Sequence, residues 1–150
     1  MASKDRLTAL DTVFKALADP TRLRILGLLM GGEVCVCDIH ETLGIPQPKA
    51  SRHLSYLKKS GLVLAKKQGL WVHYRMAPLA DAVMKSLMGA VTHCLCHVDA
   101  VGKDRQRLDT KTGCCGPVSS LHPTFECCRP PRQRAADRRL AADRRAVRTR

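Results

Sequence analysis

Apolar residues at Leu7, Leu10, Phe14 and Leu17 recur every three or four positions, which predicts an amphipathic helix over residues 5–18. It should end before Asp19-Pro20, where Asp19 can cap a second helix that carries Pro20 in its first turn. Leu23, Ile25, Leu26, Leu28 and Leu29 crowd this second helix, from Thr21 to Met30, so densely that it should be buried on most sides, and Gly31-Gly32 ends it. A short helix over residues 36–43 follows, then the turn Gly44-Ile45-Pro46-Gln47, then a helix from Pro48 to Ser60 with Gly61 placed to terminate it. Residues 62–67 and 70–76 are rich in β-formers and flank Gln68-Gly69, the pattern of a two-stranded hairpin. Beyond Pro78, apolar residues at Leu79, Val83, Leu87, Val91, Leu95 and Val98 keep a helical spacing for about five turns, longer than a small core needs. The predicted order is α-α-α-α-β-β-α, mainly α with a small β-hairpin. Two helices about a tight turn, followed by a basic hairpin, form a winged helix-turn-helix, and the surplus apolar stripe of the last helix argues for a dimer.

Charge sharpens this picture. From Thr42 through Ala80 there is no acidic residue, while Lys49, Arg52, Lys58, Lys59, Lys66, Lys67 and Arg75 are all basic, so the turn, helix and hairpin share a one-signed surface. Of the formal charge of +13, residues 129–150 carry +7, with Ala-Ala-Asp-Arg-Arg at 135–139 repeated at 141–145. The apolar pattern dissolves after Thr110. The expected organisation is therefore one DNA-binding and dimerisation domain over residues 1–110, then a cysteine-containing loop and an arginine-rich tail over 111–150 expected to be disordered. No stretch approaches the roughly 18 apolar residues of a membrane span, and the N-terminus lacks the layout of a signal peptide, so a cytoplasmic protein is expected.

On the helix that starts at Pro48, Ala50, Leu54 and Leu57 can face the core, turning the remaining side chains outward. The predicted DNA-contacting set is Gln47, Lys49, Ser51, Arg52, His53, Ser55 and Tyr56 from this helix, with Lys66 and Lys67 from the wing. Arginine can pair bidentately with guanine, and the hydroxyl and amide groups can bond phosphates or base edges. No glycine-rich phosphate loop, paired catalytic carboxylates or nucleophile elbow is present, so neither an enzyme nor a catalytic cofactor is expected. The eight cysteines fall in tight pairs, Cys35/Cys37, Cys94/Cys96, Cys114/Cys115 and Cys127/Cys128, which suit thiolate chelation better than cross-linking in a reducing compartment. In a regular helix Cys35 and Cys37 would lie about 200° apart around the axis, so gripping one ion would have to distort the first turn beside the reading helix. Thiol oxidation on the same fold is the rival reading.

Together, Cys35-Val36-Cys37-Asp38, Gln47-Pro48-Lys49-Ala50-Ser51-Arg52-His53-Leu54 and Lys67-Gln68-Gly69-Leu70-Trp71-Val72-His73-Tyr74-Arg75 resemble the arsenic-responsive repressors of the ArsR/SmtB family. The resemblance covers residues 7–110. It implies a winged-helix homodimer that occupies operator DNA as a repressor and leaves it when arsenite or a related soft ion binds. The best-known arsenic repressors resemble Cys-Val-Cys-Asp-Leu-Cys, with three thiolates, whereas here His40 stands at the third position. Imidazole is a poor replacement for sulfur towards a thiophilic ion. The resemblance also implies a second candidate set, Cys94, Cys96, Cys114 and Cys115, since some arsenic sensors of the family bind through C-terminal cysteines. A zinc- or cadmium-responsive variant would use the last helix, where Asp81, Cys94 and His97 match but Val83 replaces a ligand.

Overall fold

A computed structural model describes residues 3–111 of the chain. The elements run α1 (Ser3–Leu17), α2 (Pro20–Leu29), β1 (Val34–Cys35), α3 (Val36–Leu43), α4 (Gln47–Lys59), β2 (Val63–Gln68), β3 (Trp71–Met76), α5 (Ala82–Cys96) and α6 (Asp99–Thr110). The helix-turn-helix is α3 and α4, and the wing is β2 and β3. The expected order lacks two elements. One is β1, a two-residue strand that pairs antiparallel with β3 and makes the sheet three-stranded in the order β1-β3-β2. The other is α6: the single long helix expected through Val98 ends instead at Cys96, and a separate helix begins at Asp99.

Local signals account for the boundaries. The Asp19 side chain accepts from the Arg22 backbone N–H at 2.9 Å, capping α2 with Pro20 in its first turn. Gly44 ends α3 in the left-handed region at φ 65°, while the Ile45 N–H returns to the His40 carbonyl at 3.0 Å. That conformation, costly for any residue with a Cβ, turns the chain straight into α4. Asp81 caps α5 through the Met84 N–H.

The core lies between α2, α3, α4 and the sheet. Ile25, Leu26, Leu28 and Leu29 of α2 are fully buried, as are Ile39 of α3 and Leu54 and Leu57 of α4. In α1 the face differs from the expected one: Val13 and Ala16 enter the core, while Leu7 and Phe14 stay 70% and 54% exposed. In α5, Met88, Thr92 and Leu95 face inward and leave Val83 exposed, with Leu87 and Val91 half-buried. Among the described residues no helix is long and apolar enough to cross a membrane.

Helix α6 packs across α2 and α3 although few of its residues are apolar. Asp104, 1% exposed, accepts both Arg24 Nε at 2.7 Å and Arg24 Nη2 at 2.8 Å, a bidentate pair that replaces the water its carboxylate loses. That carboxylate holds the Arg24 guanidinium more firmly protonated than usual. Lys111 Nζ reaches Glu41 Oε2 of α3 at 2.8 Å, which lowers the Glu41 carboxyl below its ordinary range.

The approach of α6 to α2 depends on Gly27. A Cβ there would lie 2.4 Å from Val101 Cγ1, and Val101 is itself buried and β-branched. Helix propensity favours alanine over glycine by about 1 kcal/mol, but overpacking a core costs about 1–3 kcal/mol, so the clash decides the sign. Gly27→Ala should lower the stability measured by urea denaturation, and Val101→Ala in the same chain should recover part of the loss. A stabilised single variant would contradict this packing.

Candidate nucleic-acid interface and thiol pair

Helix α4 presents its side chains as the apolar spacing requires. With Ala50, Leu54 and Leu57 buried against α2 and α3, Gln47, Lys49, Arg52 and Ser55 are exposed along one side and Ser51 is half-buried. Lys66 and Lys67 project from β2 in the same one-signed region, paired across the ladder with His73 and Val72. Pro46 precedes α4 with extended geometry, and no acidic residue stands in its first turn, so the positive end of the helix dipole remains available to an anion. This set can hold phosphates with Lys49, Lys66 and Lys67 while Arg52 and Gln47 reach base edges.

Two of the expected contact residues also meet the start of α2. His53 is turned towards the start of α2, with Nδ1 3.6 Å from Asp19 Oδ1. The Tyr56 ring lies under the Arg22 guanidinium, Cζ to centroid 4.4 Å. Asp19 was legible as a cap, but Arg22 carried no sequence signal, because its partners lie in other helices.

Cys35 and Cys37 do not share a helix. Cys35 ends β1 and occupies the N-cap of α3 with extended geometry, so the regular-helix angle expected between the two thiols does not apply: the strand-to-helix junction falls between them. Cys35 is 2% exposed and belongs to the core, whereas Cys37 is half-buried on the first turn of α3. His40 follows Cys37 by three residues and so lies on the same face of α3. In the sheet Cys35 is directly opposite His73 and Val34 opposite Tyr74 of the wing strand. His73 Nδ1 is 3.7 Å from Glu33 Oε1, which also accepts from Gln68 Nε2 at 3.2 Å. Burial pushes the Tyr74 phenol above its ordinary range, keeping it neutral. Among the described residues no group of three or more His, Cys, Asp and Glu side chains is gathered to hold a metal. The soft donors at the junction are two thiols, one in the core and one half-buried, of a kind that suits a thiophilic ion.

Of the second set, Cys94 is an exposed free thiol, and Cys96 is half-buried and disulfide-bonded, which takes its sulfur out of a thiolate pair with Cys94. His93 and His97 meet edge to face with ring centroids 5.0 Å apart. Cys114, Cys115 and the arginine-rich tail lie outside the described residues.

A helix-turn-helix with a buried inner face, an uncompensated positive outer face and a basic hairpin beside it defines a winged helix-turn-helix DNA-binding protein. Residues 19–64 match the family of bacterial regulatory proteins described as arsR. An arsenical resistance operon repressor of Escherichia coli is 49% identical over 83 residues, covering 55% of this chain and 71% of the repressor. An arsenic resistance transcriptional regulator of Pseudomonas putida is 42% identical over 83 residues, covering 52% of this chain and 65% of the regulator. The solution structure of a homodimeric winged helix-turn-helix domain from Mycobacterium bovis, a possible ArsR-family regulator, aligns with a TM-score of 0.53 and 35% identity, over 62% of this chain and 88% of that one. The chain belongs to the arsR family of transcriptional regulators.

Burial orders the thiols by accessibility. Among the described thiols, a maleimide reagent added to the native protein should label Cys94 before Cys37 and Cys35 last, with Cys35 reacting freely only in denaturant, as read by peptide mass spectrometry. Labelling of Cys35 as fast as Cys94 would show that the junction is open.

Proposed function

We propose that this chain is a homodimeric repressor that occupies operator DNA through α4 and the wing, and releases it when arsenite or a related soft ion is taken up by Cys35 and Cys37. The observation that carries the reading is the position of Cys35. It is at once the last residue of the strand paired with the wing and the N-cap of the first helix of the helix-turn-helix. Drawing its thiol out of the core towards Cys37 strains both connections, and α3 leads from there through the turn at Gly44 into the reading helix. Two thiolates suit a ligand with few open positions, and His40 on the Cys37 face is a further donor on the same helix. The names of the Escherichia coli and Pseudomonas putida relatives support an arsenical effector. Leu7 and Phe14 on α1, with Val83 on α5, supply exposed apolar surface for a second copy, as the homodimeric Mycobacterium bovis relative suggests.

For DNA, Arg52→Ala should weaken binding to a duplex selected by the protein from a random pool by about 1–3 kcal/mol, whereas Lys66→Ala should weaken selected and random duplexes alike and reduce the salt slope by about one. Unchanged affinity in both variants, measured by fluorescence anisotropy, would mean that the reading surface is misplaced.

For the ion, a Cys35→Ser, Cys37→Ser protein should bind the selected duplex as the parent does, because neither thiol lies on the reading surface, yet stay bound when arsenite is added. Normal release by the double variant would move the sensing site to the C-terminal cysteines. Release by peroxide but not by arsenite, in the parent, would favour the thiol-oxidation reading.

A further inference from the structure

The start of α2 and the reading helix interlock through two pairs of side chains, each pair spaced three residues apart. Asp19 and Arg22 come from the corner between α1 and α2, and His53 and Tyr56 come from α4. Asp19 Oδ1 accepts the Arg22 N–H and lies 3.6 Å from His53 Nδ1, while Asp19 Oδ2 is 3.8 Å from Arg22 Nη1. Arg22 Nε donates to the Ala16 carbonyl at 2.6 Å and Nη2 to the Lys15 carbonyl at 2.7 Å, satisfying carbonyls in the last turn of α1. The face of the same guanidinium covers the Tyr56 ring at 4.4 Å. The Arg22 and His53 side chains are only 14% and 16% exposed.

One planar group thus spends its edge on α1 and its face on α4. Arginine can meet both demands because its donors lie in the plane and its π face stays free; lysine offers a point charge with neither. The core contacts of Ala50, Leu54 and Leu57 hold α4 down on its inner face, and the flank beside that face carries His53 and Tyr56. Arg22 and Asp19 grip that flank, and they tie it to α1, which carries the exposed Leu7 and Phe14.

We propose that Arg22 is a positioning residue for DNA recognition, which sets the roll of the reading helix by clamping the face of the Tyr56 ring to the end of α1, and that Tyr56 serves recognition through its ring face and not through its hydroxyl. The proposal rests on the assignment of α4 as the reading helix. A small roll moves every base-contacting side chain of α4 together, so its loss degrades discrimination between sequences. Attraction to phosphates depends on charge near the backbone and survives.

The test is made on the full chain with two duplexes, one selected from a random pool by the parent protein and one of arbitrary sequence and equal length, with binding read by anisotropy and folding by thermal melting. Arg22→Lys and Tyr56→Leu should each lower the ratio of selected to arbitrary affinity by about tenfold, the loss of a partly buried cation–π contact, while arbitrary-sequence affinity stays within about twofold. Tyr56→Phe, which keeps the face, should recover most of what Tyr56→Leu loses. The Arg22→Lys, Tyr56→Leu double variant should be no worse than either single, because both remove one interaction. A Tyr56→Phe protein as impaired as Tyr56→Leu would overturn the proposal by assigning the role to the hydroxyl, as would additive single losses. Should Arg22→Lys fail to fold, the exposed Tyr56 pair still decides. A parent protein with no preference between duplexes would overturn the reading-helix assignment and the proposal with it; a preference that survives all the variants would overturn the proposal alone.

Discussion

The two-residue ladder between β1 and β3 is the constraint on which the arrangement turns. Val34 and Cys35 face Tyr74 and His73, and on the next residue the chain enters α3. Because an antiparallel partner fixes both position and facing, the wing and the first helix of the helix-turn-helix cannot move independently while this ladder holds. A two-residue pairing is also short enough to be opened by a modest input of free energy. It survives because Val34, Cys35 and Val36 are buried beneath it, so that opening the ladder exposes apolar surface. The Cys35 thiol at that point is buried in the core, one residue before α3.

Polar contacts complete what the apolar core leaves open. Asp104 and Arg24 fasten α6 to α2, Lys111 and Glu41 fasten its end to α3, and Arg22 fastens α4 to the end of α1. The exposed ion pair contributes little to stability, whereas the bidentate pair at Asp104 satisfies a carboxylate that burial would otherwise penalise heavily. The last two join the helix-turn-helix to an element outside it, and the first joins two helices that flank it.

Much of the fold was legible in the sequence where one residue type decides local geometry. The bounds of α3 follow from the period of Val36, Ile39 and Leu43 and from Gly44, and the inner face of α4 follows from Ala50, Leu54 and Leu57. The strand β1 was not legible, since two residues show no alternation and their pairing depends on His73 and Tyr74 far along the chain. Nor was α6, whose inward residues include Asp104, a carboxylate that hydropathy places on the surface and only Arg24 makes burial tolerable. In the site, the exposed basic residues and the thiol pair could be read from type and spacing. The docking of His53 and Tyr56 on Asp19 and Arg22 could not, because it is a contact between helices. The break between Cys35 and Cys37 escaped notice for the same reason as β1.

In the proposed mechanism, ion binding at the thiol pair frees the reading helix by opening the β1–β3 ladder. Hydrogen–deuterium exchange of the DNA-free protein, with and without saturating arsenite, tests it most directly. Amides of residues 34–36 and 73–74 should lose protection when the ion is added, while those of α2 keep it. Ion-induced release from DNA with protection at 34–36 and 73–74 unchanged would contradict it.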